Sequence, residues 1–219
     1  MAPQRRFRGF GRALALLVLA LGLSATAMAA EDAITLPQDG DAYSQLVAKA
    51  EAGDPKVDFG ALRQAWLDSK ARKRVHAADV YKLRKELGDA LKTKDPAQVA
   101  AAARRLLSVE YVNIDGHEVL RASCETRKDA ACEQRHRAIE TGLLQSIMDS
   151  GDGKSCKTGW QVISVDEEYV FLRITGFKKI RQELIKDPSF CDLLDTVDDE
   201  GKAHGLYFKI DSFLTRELD

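Results

Sequence analysis

The chain has no Cys-x-x-Cys pair, no G-x-S-x-G elbow, no EF-hand spacing and no excess of either charge, and each absence excludes a class of function. Without Cys-x-x-Cys, and with His117 and His136 at no ligand-like spacing to the cysteines, a structural zinc site is not expected. Without the elbow, serine nucleophiles lack their usual placement, and His76, His117, His136 and His204 read as scattered surface or helix-end residues. Calcium needs six to eight oxygens in a shaped loop, which no segment supplies. Basic and acidic residues number 33 and 34. Nucleic acid and anionic membranes both require clustered Lys and Arg, so neither is an expected partner. The run Lys70-Ala71-Arg72-Lys73-Arg74 reads as a solvated helix end. No cofactor is expected.

One apolar stretch opens the chain, Ala13 to Leu23, and it is too short to span a bilayer. Arg5, Arg6, Arg8 and Arg12 precede it and Ala27-Met28-Ala29 follows, the pattern of a secretory signal peptide over residues 1–29. Residue 30 is alanine, so no lipid-bearing cysteine follows the cut, and no stable membrane insertion is expected after it. Removing the four leader arginines leaves 29 bases against 34 acids, a mature charge of −5. A periplasmic or secreted location follows from the leader, and with it an oxidising environment. The four cysteines, Cys124, Cys132, Cys156 and Cys191, then read as two disulfides. Of the three possible pairings, Cys124–Cys132 with Cys156–Cys191 is preferred, with a metal site as the alternative.

Residues 30–41 carry Pro37 and Gly40 and read as a flexible arm. Over 42–149 the apolar residues recur at helical spacing. Tyr43, Leu46, Val47 and Ala50 form a first stripe; Phe59, Leu62 and Trp66 a second; Val80, Leu83, Leu87 and Leu91 a third, with Asp79 as its expected cap. Asp95-Pro96 opens another helix with proline at its first position, and a last one runs from about Asp129 to Met148. The segment Asp95 to Ile139 resembles tetratricopeptide-type repeats, although the consensus Trp, Leu-Gly and linker Pro are missing. Residues 150–219 read as an antiparallel β region, with strands near 160–166, 168–176, 180–186, 190–198 and 205–211. At its head, Trp160 to Thr175 places two β-branched, apolar runs around Asp166-Glu167-Glu168, the signature of a β-hairpin. The expected fold class is therefore α+β: helical hairpins followed by a small antiparallel meander.

Three segments, Ser150-Gly-Asp-Gly-Lys-Ser155, Val162-Ile-Ser-Val-Asp-Glu-Glu-Tyr169 and Leu206-Tyr-Phe-Lys-Ile-Asp211, together resemble an uncharacterised bacterial family of exported proteins, a domain of unknown function. The resemblance spans residues 75–211. It implies a helical half followed by a sheet, and no activity.

The candidate sites are few. Gly153-Lys154-Ser155 lacks the upstream glycine of a phosphate loop, since Met148 holds that place, and reads as an inter-domain turn. Asp166, Glu167 and Glu168 remain as a possible functional turn, for a cation or for acid–base work. Tyr81, Lys82, Lys85, Tyr111, Arg121 and Arg137 are candidates for a concave groove of the kind stacked helical hairpins use to hold proteins or peptides. The favoured reading is a non-catalytic module binding an envelope protein or peptide. The alternative is an enzyme or inhibitor with a site between the helical half and Asp166–Tyr169. The sequence assigns no oligomeric state.

Overall fold

Short polar residues begin nearly every helix of the computed structural model, which describes residues 33–186 and 189–217. Residues 1–29, where the sequence reading expects a signal peptide, lie outside these residues, as do Asp187 and Pro188 of one expected turn. Asp41 accepts a hydrogen bond from the Ser44 N–H at 2.9 Å and opens α1 (Ala42–Glu51). Asp58 does the same for α2 (Phe59–Asp68) and Ser69 for the single turn α3 (Lys70–Lys73). α4 (Ala77–Thr93) starts after His76, two residues before the expected cap. Asp79 sits instead in the first turn, where its charge faces the positive end of the helix. Asp95 caps α5 (Pro96–Val109), Asn113 caps α6 (Ile114–Thr126) and Asp129 caps α7 (Ala130–Met148). Each such side chain satisfies one of the N–H groups that a helix start leaves unpaired.

The C-terminal half departs from the expected meander. A two-residue strand, β1 (Trp160–Gln161), is followed by a helix, α8 (Val165–Thr175), where a hairpin was expected. Ser164 caps α8 and Gly176, at φ +81°, ends it. These end signals outweigh the β-branched content of the run between them. β2 (Lys178–Ile185), β3 (Cys191–Val197) and β4 (Ala203–Lys209) do form an antiparallel meander. β1 pairs parallel with β4, so the sheet is mixed, in the order β1-β4-β3-β2. A last helix, α9 (Asp211–Glu217), follows β4. The class is α+β, with mostly helical sequence before a mixed sheet. No helix among the described residues is long and apolar enough to cross a membrane.

From Ile34 onward the chain forms one unit. Its larger core joins Tyr43, Leu62, Trp66, Leu143 and Ile147 of the helices to Phe171 of α8 and Phe208 of β4. The rings of Trp160, Phe171 and Phe208 meet at centroid distances of 4.5 to 5.5 Å and seat α8 on the sheet. A smaller core lies between α4, α5 and α6, from Leu87 to Leu120. The expected loose arm is tied down over its described part. Ile34 and Leu36 pack on the larger core, and Asp39 pairs with Arg74. Two disulfides, Cys124–Cys132 and Cys156–Cys191, staple α6 to α7 and the loop before β1 to the start of β3.

Candidate functional site

Because Asp166, Glu167 and Glu168 occupy successive positions of a helix, roughly 100° apart, the three carboxylates point to three different environments. Asp166 is half exposed and faces the helical half, where it pairs with Arg84 of α4. Glu167 is buried. It takes a two-pronged ion pair from Arg63 of α2, at 2.9 Å from Nε and 2.6 Å from Nη2, and a third hydrogen bond from the Ile163 N–H at 2.9 Å. Arg63, only 2% exposed, also donates to the Gln161 carbonyl and to Ser146. The pair is therefore a structural bolt joining α2, α7, β1 and α8.

Glu168 is fully buried and turns toward the sheet. Gln182 of β2 donates from Nε2 to Asp192 at 2.6 Å and to Glu168 Oε2 at 3.4 Å. Glu168 Oε1 has no hydrogen-bond partner among the described residues. Burial, and then the neighbouring Asp192 carboxylate, push the Glu168 carboxyl up to about 9, so it holds a proton at neutral pH. A line of hydrogen bonds runs outward from this pair. Gln182 Oε1 accepts from the Tyr169 hydroxyl at 2.8 Å, which in turn accepts from Lys179 Nζ at 2.8 Å.

The triad of acids thus forms no joint cation site. What it does form is one wall of a cleft. Between α4, α5, α6 and α8 lies an open depression of about 560 Å³. Its floor is apolar, built by Leu87, Leu91, Leu106, Val119 and Ala122. Its rim is charged. Arg84 is held by Glu110 at 2.7 Å and by Asp166, and Arg173 of α8 by Asp115 and Glu118, each at 2.6 Å. Glu110 is itself buried and does not line the cleft, so on the rim two guanidiniums face three carboxylates and a negative surplus remains. Leu91 of this floor is 51% exposed.

The groove residues expected from sequence lie elsewhere. Tyr111 is buried between helices, its N–H donating to the Tyr43 hydroxyl at 3.0 Å and its own hydroxyl to Glu51. Tyr81 is exposed; Lys82 and Lys85 pair with Asp79 and Asp89, Arg121 with Glu140 and Arg137 with Glu133. Of the true lining, Leu83's neighbours Leu87 and Leu91 were visible as a helical stripe, but nothing in the sequence said that one end of that stripe is left uncovered. Two histidines also depart from expectation. His117 and His136 are buried and meet at 3.0 Å between their Nδ1 atoms, so neither is a surface residue.

Residues 68–218 match the family model described as a domain of unknown function, DUF4919. No curated protein and no solved structure matches the chain. The matched stretch takes in α4 to α8, the whole sheet and every cleft residue named above. The chain belongs to the DUF4919 family of domains of unknown function.

Proposed function

We propose that the chain is an exported, non-catalytic binding module whose cleft between the helical half and α8 holds a peptide segment of another envelope protein. The observation that carries this reading is the cleft itself: an apolar floor, a half-exposed Leu91, and a rim in which three carboxylates outnumber two guanidiniums. That chemistry suits a segment with one or two apolar side chains beside a lysine or arginine. The apolar part displaces water from Leu87, Leu106 and Val119, and the cation answers the surplus charge at Asp115, Glu118 and Asp166. The leader-like residues 1–29 and the two disulfides are compatible with work outside the cytoplasm.

An enzymatic reading finds less support. Acid–base work needs two groups converging on one substrate position, and Asp166, Glu167 and Glu168 diverge. Glu167 is consumed by Arg63, and the Glu168–Asp192 pair does not line the cleft. The test is site-specific photocrosslinking in the native envelope, with the reactive residue placed at Leu91, at Val119, or at Leu184 on the far edge of the sheet. The binding reading expects one partner shared by the first two positions and absent from the third. Adducts identical at all three positions, or none at the cleft while the protein is abundant, would overturn it.

A further inference from the structure

We propose that the α6–α7 hairpin is a redox-gated metal site, in which reduction of Cys124–Cys132 yields two thiolates that, with His136, hold a borderline-soft divalent cation such as Zn²⁺. Both cysteines and His136 offer ligand atoms within 4.8 Å of one another. Cys132 and His136 are four residues apart on α7, which places them on one face of the helix. Cys124 reaches the same spot from the last turn of α6, with a Cα–Cα distance of 5.7 Å to Cys132. Thiolate and imidazole are the donors that zinc takes in four-coordinate sites, at about 2.3 and 2.0 Å. The sequence hides this set because its spacing is split across two helices, with neither Cys-x-x-Cys nor a paired-histidine motif.

A second observation fixes the histidine in the form a metal needs. His117 Nε2 lies 2.7 Å from the Tyr111 carbonyl, which can only accept, so Nε2 carries the hydrogen. His117 Nδ1 is then the acceptor in its 3.0 Å contact with His136 Nδ1, and His136 Nδ1 is the donor. The chain of bonds leaves His136 Nε2 with its lone pair free. A ligating histidine whose other ring nitrogen donates to a fixed acceptor is the usual outer-shell arrangement at metal sites. Here the acceptor is itself fully buried and anchored to backbone.

The sulfurs are placed for ionisation. Cys132 is the third residue of α7, where the helix's positive end favours a thiolate. The Arg127 guanidinium lies 3.7 Å from Cys124 Sγ and 4.0 Å from Cys132 Sγ. Arg127 itself is exposed. Cys132 is half-buried, which leaves one sulfur open to a reductant. A dithiol gives two electrons and two protons to the disulfide; the S–S bond breaks to two thiols as the dithiol closes to its own disulfide. Binding M²⁺ then forms two S–M bonds and one N–M bond and releases the two thiol protons.

Co²⁺ is the probe. The mature protein, reduced, is titrated and read for thiolate-to-cobalt charge transfer and tetrahedral d–d bands. The expected result is one equivalent bound by reduced wild type and none by the oxidised form. The bands should vanish in C124S/C132S, and affinity should fall at least about tenfold in H136Q. No bands in the reduced protein, or equal bands in C124S/C132S, would refute the site. Should that double variant not fold, alkylation of the reduced wild type decides. Zn²⁺ should protect Cys124 and Cys132 while Cys156 and Cys191 react, and labelling unchanged by Zn²⁺ sinks the proposal.

Discussion

Glu168 makes the strongest demand on its surroundings, because its carboxyl is fully buried with one oxygen unpaired among the described residues. Its pKa rises from 4.5 in the unfolded chain to about 9, so the folded state retains a proton that the unfolded state releases. Its contribution is therefore fully present below 4.5 and is lost as pH climbs toward 9. The buried histidines act in the opposite sense. Burial, and then His136, pull His117 down to about 3, while burial, and then Arg135 and Arg127, pull His136 down to about 4. Their contribution is present above 6.5 and is lost as pH falls toward 4. Urea denaturation from pH 4 to pH 9 should give a dome with both limbs. Glu168→Gln should flatten the alkaline limb alone and gain on the order of 2 kcal/mol at pH 8; an unchanged alkaline limb would remove Glu168 as its cause. Arg63 and Glu167 pose a different problem, since each neutralises the other out of water. Arg63→Met leaves a buried carboxylate without its partner and should cost about 3–5 kcal/mol, and Arg63→Met with Glu167→Leu should recover most of that. Equal losses in the single and the double variant would mean that the pair is not the bolt described.

Elements were legible where their end signals were strong. Asp95-Pro96 announces α5 and Asp129 announces α7, and both helices stand within a residue of where the sequence places them. The failure at Val165–Thr175 has a physical cause. The run Tyr169-Val170-Phe171-Leu172 is continuous, so period cannot distinguish a buried strand from a buried helix. The deciding signals were short: Ser164 accepting from the Glu167 N–H at 3.3 Å, three acids in the first turn, and Gly176 at the far end. Once the segment is helical its carboxylates must diverge, which is why a site expected of one turn is divided among a cleft, a bolt and a buried acid. The staples act on the same scale. Cys156–Cys191 closes a loop of separation 35 between the helical half's exit and β3, whereas Cys124–Cys132 closes one of 8. In the chain-entropy view the longer loop stabilises more, about 4 kcal/mol against about 2.5. Cys156→Ala with Cys191→Ala should therefore lower the urea midpoint more than Cys124→Ala with Cys132→Ala. The reverse order would show that native packing around the hairpin outweighs loop entropy.

At the scale of the whole molecule, the cleft is the place where the helical half and α8 meet without filling the space between them. The larger core and the Arg63–Glu167 bolt fix α8 against α2 and α7, while α4 to α6 pack on a separate, smaller core. The rim pairs Arg84–Asp166 and Arg173–Asp115 bridge the two. Exposed pairs of this kind contribute little to stability, about 0–1 kcal/mol each, so their charges are available for recognition at small cost to the fold. Leu91 stands in the same position among the apolar groups: half its surface is already in water, so replacing it should leave the unfolding midpoint nearly unchanged. Leu91→Asp puts a charge onto the apolar floor and should abolish capture of a basic, apolar peptide. Asp115→Asn with Glu118→Gln should weaken that capture and flatten its dependence on salt, because screening then has fewer charges to act on. Fluorescence anisotropy against a panel of such peptides, run beside thermal melts, separates the possibilities. Lost binding with an unmoved melt places recognition in the cleft, and retained binding in Leu91→Asp places it on another surface.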